Sequence, residues 1–347
     1  VLEALKDAGI RFKDVQVAYF GQVYYEDMSM GESVLSALGL TTIPIMNVDN
    51  ACSSGSSALW QAFWCVGVGM FDVALVIGAE RVPRGPVAVT GGSSPERLLG
   101  SDHMMAAYAL SMRRYMHDYN APVTAIAQVA VKAKQNAALN PYAQFQKPVT
   151  LEEVLSSRMI AEPLTLFQCC PTSEGAAAAV ICAREVVDRY VEDPGRVVSI
   201  RGAVLRTGGY EGDEGGENGS VTTTIAARQA YEMAGLGPKD MDIIQVHDAA
   251  TIGEITQLEG LEIVPKGEGW RAEWDGRTAL GGNIPVNTDG GLQAMGHPFG
   301  ATGLRQVHEL VTQLRSEAGP RQLKKARVGI AQNAGAGDVC TVHILEK

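Results

Sequence analysis

Apolar and polar positions along this chain fall into blocks that read as strands followed by helices. The run TIPIMNVDN (42–50) is apolar enough for a buried strand, and SALWQAFWCVGVG (57–69) carries apolar residues on one face at helical spacing. Between them lies a tight turn of small residues, Ala51, Cys52, Ser53, Ser54 and Gly55. Further buried strands are expected over VQVAYFG (15–21), FDVALVIGAE (71–80), DIIQVHD (242–248) and ARVGIAQNAGAG (326–337). TLFQCCPTSEGAAAAVIC (165–182) reads as strand, turn, strand, with Cys169 and Cys170 packing rather than reacting.

The blocks repeat. Ala8-Gly9 closes a helix and leads through Lys13-Asp14 into a strand; Ala234-Gly235 does the same through Lys239-Asp240, at an offset of 226 residues. DNACSSGSSAL (49–59) is matched by HPFGATGLRQV (297–307), and the strand at 71–80 by that at 326–337. Two similar α/β halves follow, with their matched turns facing one centre, because ligands in such folds sit where strand ends meet helix N-termini. The expected N-terminal half is 1–81 plus 164–190, the C-terminal half 191–347, and 82–163 an inserted loop and helical region over the site. The insertion begins with VPRGPVAVTGGSSPE (82–96). Met105, Tyr108, Met112, Tyr115 and Met116 then recur at helical spacing, an adaptable apolar wall for an irregular ligand, though any one of them also fits ordinary core. The acidic, glycine-rich 208–220 reads as a surface loop.

Charge and composition narrow the chemistry. A net charge of −10 argues against a broad nucleic-acid surface. No apolar run reaches membrane-spanning length. The six cysteines form no C-x-x-C pair, which argues against a metal site, and their apolar settings suit reduced thiols of a cytoplasmic protein. The chain opens at Val1 within what reads as a helix, so a preceding segment is expected.

Cys52 is the candidate nucleophile. A thiol at a helix N-terminus is expected to have a lowered pKa; a small packed core cysteine fits the same stretch equally well. His247 and Asp248 end one strand, His297 precedes a glycine-flanked turn, and Asn333, Gly335 and Gly337 are expected on a turn after another. Such residues carry weight only jointly.

Taken together, NPYAQFQ (140–146), QCCPTSEGAAAA (168–179), HDAA (247–250), GHPFGATG (296–303) and NAGAG (333–337) give the chain a clear resemblance to the thiolase superfamily, specifically its sterol-carrier-protein-X type. The resemblance implies two βαβαβαββ halves in an α-β-α-β-α layering, whose first strand would precede Val1. It implies Cys52 as acyl-accepting nucleophile, His297 as its base, and His247 as an oxyanion-hole donor. The backbone N–H groups of Cys52 and Gly337 would form a second oxyanion hole, and Met105, Tyr108, Met112 and Asn333 would line the substrate. Coenzyme A would be a substrate, with no bound cofactor. The implied assembly is a homodimer, with a small OB-fold, zinc-ribbon acyl-CoA-binding companion. Arg81, Arg84, Arg113, Arg114, Lys132 and Lys134 are candidates for the CoA phosphates, or simply scattered surface charge.

One departure stands out. Thiolases usually carry a second cysteine that exchanges a proton with the α-carbon, in C-x-G-x-G or H-D-C-F; here those places hold Asn333 and Ala249-Ala250. The implied reaction is cleavage or formation of a 3-oxoacyl-CoA C–C bond, on a bulky or aromatic substrate such as benzoylsuccinyl-CoA. The alternatives are a retro-aldolase of the steroid side-chain type and an acyl-CoA-binding subunit without catalysis.

Overall fold

The computed structural model describes residues 1–25, 28–39, 42–85, 87, 103–191, 193–208 and 220–347. Most of the glycine-rich loop after residue 87 and the acidic stretch 209–219 therefore lie outside the described residues.

The chain begins with α1 (Leu2–Ala8), ended by Gly9 at φ 67°, and a short turn leads into β1 (Val17–Gly21). In that turn Asp14 accepts the backbone N–H of Arg11. The same device recurs in the second half: α8 (Ser220–Ala234) ends at Gly235, also at φ 67°, and Asp240 accepts the N–H of Gly237 at 2.8 Å before β8 (Ile243–Gln245). A left-handed glycine stops each helix, and a carboxylate five residues on, Asp14 or Asp240, fixes the turn. The sequence repeat is thus a repeat of local backbone chemistry.

β1 lies between β2 (Ile45–Val48) and β3 (Val73–Arg81), parallel to both, and β6 (Glu174–Cys182) runs antiparallel to β3. The order is β2-β1-β3-β6. In the second half β8 pairs parallel with β9 (Val328–Gly335), which pairs antiparallel with β10 (Val339–Glu346). Val286 bridges Ile244 where the first half has β2. One strand separates the halves: β7 (Ser199–Thr207) covers the far edge of β10, while β6 has no such neighbour among the described residues.

Two helices lie between the sheets. They are α3 (Ser54–Gly67) and its repeat partner α12 (Phe299–Leu314), the latter following the short helices α7 (Val187–Tyr190), α10 (Gly269–Trp274) and α11 (Gly291–Ala294) in the chain. Their apolar residues Ala58, Leu59, Leu304 and Leu310 share one core with Val17 and Val76 of the first sheet and Ile243 and Leu345 of the second. Outside the first sheet, Leu5 and Leu35 of α1 and α2 (Met30–Ser36) pack on Phe20, Leu75 and Ile77. Outside the second, α8 and α9 (Thr251–Gly260) pack on Val204, Ile244 and Val342. The layering is α-β-α-β-α. The central strands read as nearly continuous apolar runs because both faces are covered.

Between β3 and β6 the chain forms α4 (Met104–Tyr119), α5 (Val123–Ala137), α6 (Leu151–Ser156), and the short strands β4 (Met159–Ala161) and β5 (Leu164–Thr165). Met112 and Ile126 from these helices pack on Ile252 and Ile255 of α9, so this layer rests on the second half. Of the strand, turn, strand expected over 165–182, the first strand is only β5, which ends at Thr165 and is followed by a single helical turn, Leu166–Gln168.

Candidate active site

Cys52 sits between β2 and α3, 2% exposed, on a turn held by its own small residues. Asn50 N–H donates to Ser54 Oγ at 2.9 Å, Ser54 Oγ donates to the Ala51 carbonyl at 2.7 Å, and Asn50 Nδ2 donates to Ser57 Oγ at 2.9 Å. Ala51 adopts φ 51°, a left-handed conformation uncommon for a residue with a Cβ. Serine side chains thus replace backbone partners, and the chain reverses at the nucleophile candidate.

α12 delivers His297 to the same place. Its first turn lies against the first half so closely that a Cβ at Gly78 would fall 2.1 Å from the carbonyl oxygen of Gly300. Only hydrogen at Gly78 allows this approach. β9 arrives from the other side. A Cβ at Gly335 would lie 2.5 Å from the Asn50 carbonyl. The matched turns of the two halves therefore meet, and ligand-capable atoms of Cys52, His247 and His297 all lie within 4.8 Å of one another. The two imidazole rings stand edge to face, with centroids 5.0 Å apart.

Hydrogen bonds fix the tautomer of His297. Thr302 Oγ1 donates its one hydrogen to the Pro298 carbonyl at 2.9 Å, so it accepts from His297 Nδ1–H at 2.7 Å. Nε2 then carries the lone pair, and it is buried with no partner. His297 N–H donates to Ser173 Oγ at 3.0 Å, which ties the turn to the segment before β6. His247 is held by Asn333, whose Oδ1 lies 3.1 Å from His247 Nδ1. An amide oxygen only accepts, so this ring also carries its proton on Nδ1. The Asn333 Nδ2 group is buried without a partner.

Burial sets the charge states. It pushes the His247 pKa down to about 4 and, helped by repulsion from His247 and Arg305, the His297 pKa well below the usual imidazole value. It pushes the Cys52 thiol up to about 12, although backbone N–H groups of Cys52 and Ala336 oppose the rise. This corrects the expectation of a lowered thiol pKa, because desolvation outweighs the helix N-terminus. The resting pair is a neutral thiol beside a neutral imidazole, so attack requires a base that takes the proton as the bond forms.

Other expected residues fall as follows. Asn333 and Gly335 lie on β9 itself rather than on a turn; only Gly337 is in the hairpin, at φ 82° with open space beside it. The backbone N–H that approaches the Cys52 sulfur belongs to Ala336, one residue before Gly337. Tyr108 and Met105 are partly buried at the edge of the α4 cluster, with Tyr108 3.6 Å from the Cβ position of Gly253. Met112 is fully buried, packed in the α4 cluster with Ile252 and Ile255. Lys132 is buried against Glu254 and Glu273, and Lys134 donates to the Gln293 carbonyl at 2.8 Å. Neither lysine is free for a phosphate. Cys340 is buried on β10 beside Thr223, away from the thiol–imidazole cluster.

Several supports carry no local sequence signal. Glu80, 1% exposed, accepts the N–H groups of Val23 at 2.8 Å and Tyr24 at 3.1 Å, pinning the loop after β1 beside the site. Asp248 accepts the Leu292 N–H at 2.7 Å and so holds the approach to His297. Cys170, set aside above as packing, pairs its N–H with the Ala249 carbonyl at 2.9 Å, and its thiol interacts electrostatically with Cys52.

Fold and site together define a two-half α/β enzyme with a buried thiol–imidazole centre. Residues 1–185 match the thiolase N-terminal domain and residues 218–347 the thiolase C-terminal domain-like family. The chain belongs to the thiolase family, and its class is acyltransferase. It is 38% identical over 344 residues to the benzoylsuccinyl-CoA thiolase subunit BbsB of Thauera aromatica, covering 97% of this chain and 88% of that one. Identity to the acetyl-CoA acetyltransferase of Methanothermobacter thermautotrophicus is 36% over 357 residues, covering 100% and 92%. Identity to sterol carrier protein 2 of Bos taurus is also 36%, over 99% of this chain and 66% of that longer protein. Among solved structures, an Ltp2-ChsH2(DUF35) aldolase superposes with a TM-score of 0.85 at 26% identity, covering 99% of this chain and 90% of that one. Among the described residues no helix is long and apolar enough to cross a membrane.

Proposed function

We propose that this chain cleaves or forms the C–C bond of a 3-oxoacyl-CoA through an acyl-enzyme on Cys52. The observation that carries the reading is the meeting of Cys52, His247 and His297 within 4.8 Å where the matched turns join. In the cleaving direction the bare Nε2 of His297 takes the thiol proton as sulfur attacks the β-keto carbon. The oxyanion forms beside the N–H groups of Cys52 and Ala336, donors worth roughly 3–4 kcal/mol each in such a place. Collapse breaks the C–C bond and expels the α-carbon as an acyl-CoA enolate, which takes up the proton. Coenzyme A then attacks the Cys52 thioester and releases the second acyl-CoA. The buried Arg305 guanidinium disfavours charge on both imidazoles and favours the anionic enolate.

The reading extends to a bulky or aromatic acyl group, supported by the Met105–Tyr108 edge of the inserted layer and by the likeness to a benzoylsuccinyl-CoA thiolase subunit. It includes a homodimer and a small acyl-CoA-binding companion; a relative that is a subunit and a neighbour solved with a DUF35 protein support the latter. A cytoplasmic setting is supported by six free cysteines. The division into halves at 1–81 plus 164–190 and 191–347, with 82–163 inserted, belongs to the same reading.

Retro-aldol cleavage is the second reading, favoured by the superposition on an aldolase. Replacing Cys52 by alanine separates the two: CoA-dependent cleavage of a 3-oxoacyl-CoA disappears if the proposal holds, whereas a retro-aldolase keeps its activity. A third reading, a binding subunit without catalysis, predicts no acyl group on Cys52 under any condition.

A further inference from the structure

Accepting Cys52 acylation leaves one step without an agent. The leaving enolate must gain a proton at its α-carbon, and the cysteine positions of the family hold Asn333 and Ala249. The geometry points to His247 as the acid and base at that carbon, with Asn333 as the residue that positions it.

Three observations carry this. The Asn333 amide oxygen fixes His247 as the Nδ1–H tautomer, which leaves a lone pair on Nε2. A neutral ring in that state can take a proton at Nε2. Second, its ring lies 5.0 Å from that of His297, the group that takes the Cys52 proton. Two imidazoles so close hold one positive charge between them far more readily than two, so the pair carries one proton at a time. Third, Asn333 Nδ2 is buried and unpaired on the residue that stands where the second cysteine would be. It offers a donor to the enolate oxygen while His247 works at the carbon.

The protons balance. The Cys52 S–H proton passes to His297 as the C–S bond forms. The C–C bond breaks, its electron pair goes to the α-carbon, and the pair of histidines returns that one proton through His247 to form the C–H bond. In the second half-reaction the CoA thiol proton is taken by the same pair as CoA sulfur attacks. It returns to the Cys52 sulfur when the thioester breaks. No further acid or oxidant is required.

The test separates the two steps on the full chain, with its companion where that is needed for solubility, using acetyl-CoA. Exchange of labelled CoA into acetyl-CoA needs only Cys52 acylation. Uptake of deuterium from D2O into the acetyl methyl group needs α-carbon chemistry. For His247→Gln, whose amide moves no proton, deuterium uptake is expected to fall at least about 10²-fold more than CoA exchange does. Adding Asn333→Cys to His247→Gln restores deuterium uptake at least about tenfold, since a thiol then stands at the carbon. Deuterium uptake at the wild-type rate in His247→Gln overturns the inference, as does an equal loss of both exchanges. Loss of uptake in Cys170→Ala with none in His247→Gln overturns it in favour of that thiol. If the wild-type chain shows no CoA exchange, the acyl-enzyme reading fails first and the inference with it.

Discussion

The two halves share a strand order and a central helix, yet they bring different chemistry to the junction. The first half contributes Cys52 on a serine-rich turn with a left-handed Ala51. The second contributes two imidazoles, one amide and the residues that set their tautomers. The same backbone device, a small-residue turn opening a buried helix, presents a nucleophile in one half and a base in the other. The difference teaches that the repeat supplies placement, while a few side chains at equivalent turns supply function.

This division breaks most sharply at the nucleophile. Cys52→Ala is expected to lower thiolytic turnover by at least about 10⁴-fold with the thermal midpoint changed by only a few degrees; steady-state kinetics with a 3-oxoacyl-CoA and a melting curve check both. Next comes the base. His297→Asn removes the lone pair that takes the thiol proton, and a fall of about 10²–10⁴-fold in turnover is expected, with binding of the CoA ester by calorimetry little changed.

The contact between the halves is tested by Gly78→Ala. The added Cβ meets the Gly300 carbonyl oxygen, and loss of roughly 3 kcal/mol or more is expected in urea unfolding. A comparable substitution at Gly69, which has open space beside it, changes stability by only about 1 kcal/mol through its positive φ.

The smallest effect is a pH limb confined to the second half. Burial holds His343 at a pKa of about 4, below the ordinary 6.5. The unfolded chain therefore binds this proton first as pH falls, so the stability is complete above pH 6.5 and is lost between 6.5 and 4, by roughly 3 kcal/mol at the lower end. His343→Leu should make that part of the unfolding free energy against pH shallower by its own share, with those of His247 and His297 remaining, and leave its value at pH 8 nearly unchanged.

Much of the fold was legible because its signals are local. An Ala-Gly helix end followed by a Lys-Asp turn states its own hydrogen bonds, and its recurrence gave the two halves. The α-β-α-β-α layering was implied by the thiolase resemblance; the matched strands and turns alone gave only two similar α/β halves. What escaped depends on partners far along the chain. Glu80 reads as the end of a strand, yet it clamps the loop after β1. Thr302 reads as one small residue in a glycine-rich helix start, yet it sets the His297 tautomer. The helix N-terminus at Cys52 was visible, but the sheet and helices that bury it were not, and burial decides the thiol pKa. β9 runs to Gly335, so Asn333 and Gly335 sit on the strand rather than on the turn, and the N–H beside the Cys52 sulfur is that of Ala336. Helical spacing likewise grouped Met112 with Tyr108, and both pack in one cluster, Met112 fully buried and Tyr108 partly so.

The central claim is that Cys52 carries the acyl group. Rapid quenching of the protein during turnover of a 3-oxoacyl-CoA, followed by mass spectrometry of the peptide containing Cys52, tests it most directly. The account predicts a mass increase equal to the acyl group on Cys52, removed by added coenzyme A. An unmodified Cys52 during sustained C–C cleavage contradicts it.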